Sequence, residues 1–268
     1  FLGGGVAMTD KANRQEQLES MLLGFHLQAF KKHYLSYARK SELEKLDHVA
    51  YLYELSKTEQ EDRYNRRTER LLREAKLPTG KRLENFDMSH VPGLSPSRIS
   101  ELATGNCLDQ CENVLIFGNP GTGKSHLAAS LAREWCLRGR TNYFTTAASL
   151  VQELLKAKRD LKLNAVLKKL DRFEALIIDD LSYIPQEREE TDVLFVLLAE
   201  RYERRSVVIT SNLPFSKWDT IFKDPITAMA AIDRLVHHAT ILELNGESFR
   251  ASAASRKKAA SKKEEKQI

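Results

Sequence analysis

Long hydrophobic runs are missing from this chain. The longest uninterrupted apolar stretch is Val193–Ala199, far short of the roughly 20 residues a membrane-crossing helix needs, so no membrane partner is expected. Cysteine is scarce: three in 268 residues, an odd number that builds no disulfide framework and points to reduced thiols in a cytosol. Cys107, Cys111 and Cys136 are joined by no His or Cys pair at matching spacing, which argues against structural zinc. The opening Phe-Leu-Gly-Gly-Gly-Val-Ala has no cationic flank, so it does not read as a secretory leader, and Met8 reads as the natural start after seven upstream residues. Net charge is small, +5 from 42 Lys+Arg against 37 Asp+Glu, and a bias of that size names no partner by itself. What is present is core-forming material: 42% of residues are hydrophobic, which excludes a wholly disordered chain.

Proline is absent from residues 1–77, and the only glycines there are Gly3, Gly4, Gly5 and Gly24. Leu18, Met21, Leu22 and Phe25, then Phe30, Tyr34 and Tyr37, recur at helical spacing. Ser41 with Glu44 and Ser56 with Glu59 have the spacing of capping boxes and predict two further helix starts. Residues 1–79 are therefore expected to form a small all-helical domain. Pro78, Gly80, Pro92, Gly93 and Pro96 then mark residues 80–98 as a connector. Beyond it, five short apolar runs (Val114–Phe117, Thr141–Phe144, Leu176–Ile178, Val207–Thr210 and Thr240–Leu244) alternate with helical stretches. That order predicts an α/β domain over 99–250, a parallel five-stranded sheet with flanking helices. Residues 251–268 are Ala, Ser, Lys and Glu in the main and read as a basic flexible tail.

The segment Gly118-Asn119-Pro120-Gly121-Thr122-Gly123-Lys124-Ser125 fits G-x-x-x-x-G-K-[ST] in full, after an apolar strand and before the helical pattern His126–Leu137. Its glycines let backbone N–H groups and a helix N-terminus face phosphate oxygens. Lys124 is expected to reach the β/γ-phosphates of ATP, and the Ser125 hydroxyl to ligate Mg²⁺. His126, next in the chain, is grouped with this loop, although its place on the helix reads first as surface. Fifty-five residues beyond Lys124, Ala175–Ile178 delivers Asp179 and Asp180. A buried strand ending in two acids places Asp179 beside Mg²⁺, directly or through water, and Asp180 where it can polarise an attacking water. Asn212, at the end of a third run, has an amide that can both donate to a γ-phosphate and accept from that water. Arg234 lies in Ala230–Val236, where a helix can present it to the γ-phosphate of a neighbouring subunit.

With these residues in place, the core from Phe86 to Arg250 resembles the AAA+ ATPases of the DnaA/DnaC/IstB branch. Arg234 matches the branch's arginine finger and Asn212 its sensor-1 position. Asp179-Asp180 departs from the commoner Asp-Glu; it and Gly246-Glu-Ser-Phe-Arg250 are similar to IstB-type transposition helper ATPases of bacterial insertion sequences. AAA+ proteins commonly carry a small helical lid after the core, but only twenty-four residues follow Leu244 here, so the lid is expected to be absent or vestigial; the resemblance implies a P-loop AAA+ core. It further implies ATP hydrolysis to ADP and phosphate, slow and switch-like, in a bacterial cytoplasm, and subunits joined through ATP-bridged interfaces.

Positive charge is concentrated in three segments: Arg63–Arg82, Lys156–Arg172 and Arg256–Lys266, with net charges of +6, +5 and +4. The remainder of the chain carries −10. Arg63, Arg66, Arg67, Arg70 and Arg73 fall on one helix face. Lys156, Lys158, Arg159, Lys162, Lys168 and Lys169 lie between the second strand and the acid-bearing one. No zinc-finger or RNP pattern accompanies them, so duplex DNA contact is expected to be mostly to phosphate and weakly sequence-selective. The resemblance makes a transposase the protein partner. A helicase loader preferring single-stranded DNA is the alternative.

Overall fold

Each of the five apolar runs becomes a strand: β1 Asn113–Gly118, β2 Asn142–Thr146, β3 Ala175–Asp179, β4 Ser206–Ser211 and β5 Ala239–Leu244. All pairings are parallel, in the order β2-β3-β4-β1-β5. This computed structural model describes residues 4–181, 188–213, 217–218, 225–246 and 248–249; the expected tail, Glu247 and Arg250 lie outside them. The inner strands β1, β3 and β4 are buried almost throughout because both sheet faces are covered there, whereas β5 at the edge alternates buried and exposed residues. Leu115, Phe117, Leu176, Ile178, Val207 and Ile209 enter one core with α7 (Ala147–Arg159), α8 (Leu163–Leu170), α9 (Arg188–Arg201) and α10 (Pro225–Val236). Their strand neighbours Val114, Ile116, Ala175, Ile177 and Val208 enter the other, with α4 (Pro96–Thr104), α5 (Asn106–Asp109) and α6 (Lys124–Leu137).

Local chemistry sets several helix ends. Ser95 accepts from the Arg98 N–H ahead of Pro96, and Gly105 at φ 83° terminates α4, the arrangement favoured at the two ends of a helix. Thr146 caps α7 through the Ser149 N–H at 3.2 Å. A buried cation does comparable work at longer range. Arg201, 1% exposed, donates to the carbonyls of Leu170, Phe173 and Ser206, each at 3.0 Å. It thereby joins the end of α8 to the starts of β3 and β4. Burial lowers its pKa to about 10.

The chain divides into two compact units, residues 1–69 and 70–268. The first holds α1 (Gly4–Gly24), α2 (Gln28–Glu44) and most of α3 (His48–Glu74). The division lies within α3, whose helical pattern runs on across it, so periodicity alone places the boundary later, at residue 79. The two helix starts expected at Ser41 and Ser56 do not occur: Ser41 lies in the last turn of α2 and Ser56 inside α3. Asp47 caps α3 instead, accepting from the Ala50 N–H at 2.7 Å. Glu59 is a cap, but for another helix. Its carboxylate accepts from the Ala29 and Phe30 N–H groups at 2.8 and 3.4 Å, where α2 has no side-chain cap of its own.

Residues 80–98, expected as a connector, instead contribute to the core. Phe86 and Val91 are buried there against α4 and α6 residues. Two short 3₁₀ turns, Leu83–Asn85 and Met88–His90, shape this stretch. Turn-rich punctuation therefore marks irregular backbone here, with its apolar side chains packed. Among the described residues, no helix is long and apolar enough to cross a membrane.

Candidate functional site

The loops after β1, β3 and β4 leave the same edge of a parallel sheet, its C-terminal edge, where open α/β sheets hold ligands. After β1, the chain turns through Gly118, Gly121 and Gly123 at φ 151°, 84° and 96°. A Cβ on Gly118 would stand 2.5 Å from the Leu244 carbonyl oxygen, so only glycine passes there. Thr122 turns inward, fully buried, with its hydroxyl donating to the Asn119 carbonyl at 2.9 Å. Helix α6 then starts at Lys124 with no side-chain cap and no acidic residue in its first turn. Its leading N–H groups thus keep their partial positive charge for an anion. Lys124 Nζ folds back onto the carbonyls of Gly118 and Asn119 at 2.8 and 2.9 Å. Those are bonds that a polyphosphate oxygen can replace.

A cleft of about 290 Å³ opens over this loop, close to the lower limit of about 300 Å³ for small-molecule sites. Pro120, Gly121, Gly123, Lys124, Ser125, Asp180 and Asn212 line it, so groups far apart in the chain share one cavity. Asp179 stands behind this lining, buried, and accepts a hydrogen bond from the Thr210 hydroxyl at 2.6 Å. The same Thr210 oxygen accepts from the Asp180 N–H at 2.9 Å. One hydroxyl thereby orients the carboxylate of one aspartate and the backbone of the next. Asp180 itself is in the left-handed region at φ 58°, a conformation that Asp tolerates better than most residues.

Sequence reasoning missed Thr210, because a threonine in a β-rich run carries no sign of its partner. It also missed the opposite wall, built by Lys81, Asn85, Phe86 and Asp87 together with Phe249. His126, half-buried on the helix surface, lines the cleft as well. Its Nε2 lies 2.9 Å from the Arg82 carbonyl oxygen, and its ring meets Phe86 edge-on at 5.6 Å. The fold thus brings a cationic phosphate loop, two acids and an aromatic wall to one place.

Comparison with known proteins matches residues 20–259 to the family described as IstB-like ATP binding protein. The chain belongs to that family. An insertion sequence ATP-binding protein of Sinorhizobium fredii (strain NBRC 101917 / NGR234) is 42% identical over 241 residues, covering 90% of this chain and 81% of the relative. The insertion sequence IS21 ATP-binding protein of Pseudomonas aeruginosa is 35% identical over 234 residues, 87% and 88% of the two chains. Among solved structures, AMPPCP-bound DnaA from Aquifex aeolicus superimposes with a TM-score of 0.53 at 20% identity, over 63% of this chain and 51% of that one. DnaI gives 0.52 at 20% identity, over 62% and 92%. The fold is accordingly the P-loop AAA+ fold, with the N-terminal helices preceding it.

The remaining residues singled out in this IstB-like chain lie away from the cleft lining. Arg234 is half-buried on α10, its guanidinium carbon 5.0 Å from the Phe195 ring centroid. On α3, Arg63 pairs with Glu59 at 2.7 Å and Arg66 with Asp62 at 3.0 Å. Arg70 lies 3.9 Å from Glu74. That stripe is therefore partly compensated by its own helix. Lys156, Lys158 and Arg159 close α7 and are exposed, as are Lys162, Lys168 and Lys169 beside α8; Lys169 reaches Glu153 at 3.5 Å. His237 and His238 follow the end of α10, both within 4.0 Å of Glu203.

Proposed function

We propose that this chain is an ATP-dependent DNA-binding ATPase that oligomerises on duplex DNA, marks a target site and stimulates a partner transposase. The observation that carries the reading is the single cleft joining Lys124, Ser125, Asp180 and Asn212 from three strand ends. The insertion-sequence names of its relatives support the transposition setting.

Lys124 exchanges its bonds to Gly118 and Asn119 for β/γ-phosphate oxygens, and the α6 N-terminus holds the α/β-phosphates. Ser125 and Asp179 are the groups that would hold Mg²⁺, which when bound neutralises charge on the bridging phosphates. The fit rests on the buried Asp179–Thr210 bond, which leaves the second carboxylate oxygen and the hydroxyl of Ser125 as hard oxygen donors. Asp180 accepts a proton from the attacking water while Asn212 orients that water and the γ-phosphate. A carboxylate one methylene shorter than Glu reaches less far, which suits slow, switch-like turnover.

Arg234 acts across a subunit interface, completing the site of a neighbouring copy and making assembly depend on ATP. Lys156, Lys158, Arg159, Lys162, Lys168 and Lys169 supply phosphate contacts, with Arg63, Arg66, Arg67, Arg70 and Arg73 as a second surface. The helical unit meets the transposase; its exposed Phe25, Leu43 and Val49 support that role. Hydrolysis dissolves the assembly.

Fluorescence anisotropy with duplex and single-stranded DNA, each with ATP or ADP, tests this. Tight duplex binding with ATP alone, lost in Lys124→Ala, is expected. Equal binding with both nucleotides would refute the ATP switch, and preference for the single strand would favour a helicase-loader role.

A further inference from the structure

The cleft lining combines two kinds of group. One is Lys124 with the uncapped start of α6; the other is a pair of aromatic rings, and one of these comes from an unexpected place. Phe249 follows β5 at the far end of the chain, yet its backbone N–H donates to the Gly121 carbonyl at 3.0 Å. Its neighbour Ser248 occupies the space a side chain on Gly121 would need, with Oγ 2.1 Å from where a Cβ would stand. Gly121 therefore serves the loop's turn and also the seating of this strap. The rings of Phe249 and Phe86 both approach one point, the Cβ position missing from Gly123, at 3.8 and 3.0 Å. Both rings line the cleft.

We infer that Phe249 is a wall of the base seat, so that the strap following β5 packs against the planar part of a bound nucleotide. This rests on the nucleotide reading of the cleft and adds to it a residue and a mode of contact. A ligand that meets both kinds of group joins a polyanion to a flat ring, which is the form of a nucleoside triphosphate. Phe86 is fixed on its other side by His126, whose ring is held by the Arg82 carbonyl oxygen. The backbone of the strap is held by the loop that receives the phosphates. Phosphate binding and base stacking are thereby mechanically linked through Gly121.

The test measures binding of ATP, ADP and inorganic tripolyphosphate to the full chain and to Phe249→Ala. Loss of one base-stacking ring is expected to weaken ATP and ADP by about 5- to 150-fold and to leave tripolyphosphate unchanged. A Phe249→Trp chain should retain ATP affinity and show fluorescence quenched by ATP but not by tripolyphosphate, measured against the parent chain with its two buried tryptophans. This second variant decides the matter if Phe249→Ala fails to fold. Parent-like ATP affinity in Phe249→Ala, or no ATP-specific quenching in Phe249→Trp, overturns the strap's role while the nucleotide reading stands. Equal loss of ATP and tripolyphosphate in a folded Phe249→Ala makes the strap a support for the phosphate loop and overturns the base-seat assignment. A parent chain that binds neither ATP nor tripolyphosphate removes the nucleotide reading, and this inference with it.

Discussion

A single hydroxyl organises the acidic side of the cleft. Thr210 donates to Asp179 at 2.6 Å and accepts from the Asp180 N–H at 2.9 Å, so both proposed roles of the acid pair pass through one oxygen. Thr210→Val keeps the shape and removes that oxygen. Its hydrolysis rate is expected to fall about 10- to 100-fold, the usual effect of losing a partner behind a metal ligand. Nucleotide affinity, set by Lys124 and the loop, should change far less. Phosphate release and equilibrium binding measured on one preparation separate the two, and Thr210→Ser should restore turnover. Equal losses in rate and affinity would show that Thr210 supports the loop as a whole.

Helices and strands here are joined by polar groups that their own segments do not use. Glu59 closes the start of α2 from α3. Burial alone would raise its pKa, but the hydrogen bond from Arg63 and the Ala29 and Phe30 amides hold it below the ordinary value of 4.5. A carboxylate depressed in the folded state contributes stability above its unfolded pKa and loses it as pH falls. The stability of the helical unit, followed by circular dichroism, should therefore fall as pH drops below 4.5. Glu59→Gln should flatten that dependence, and Glu59→Ala should cost about 1–2 kcal/mol as a lost cap. Arg201 plays the corresponding part in the α/β unit. Arg201→Met strips three buried carbonyls of a donor and is expected to cost about 3–5 kcal/mol. Thermal unfolding of that unit should shift down by roughly 10 °C.

At the scale of the molecule, a net charge of +5 hides a separation of charge. The α7–α8 lysines are exposed, whereas Arg63 and Arg66 already hold Glu59 and Asp62. A phosphate must displace those acids to reach the arginines, so the α7–α8 group should dominate duplex binding. Replacing Lys156, Lys158 and Arg159 together by Ala should make the slope of log affinity against log salt shallower by about 1 per lost contact. Replacing Arg63 and Arg66 should change it less. The reverse order would move the main DNA surface to α3.

The amino-acid sequence by itself determined what is local. The phosphate loop, its flanking strand and helix, the five strand positions and the Asp179-Asp180 pair are all consecutive residues whose chemistry shows in their spacing. Backbone geometry over a few residues is governed by those residues, so glycines at 118, 121 and 123 announce the turn that they make. Only the tertiary structure decided what meets across the chain. Glu59 looked like part of a capping box for its own helix and caps another. Phe86 sat in punctuation typical of a connector and is buried beside the loop. Thr210 and Phe249 reach the site from 86 and 125 residues beyond Lys124. No short-range pattern encodes such pairs, because the free energy of each contact depends on a sheet order, β2-β3-β4-β1-β5, that exists only after the whole core has packed.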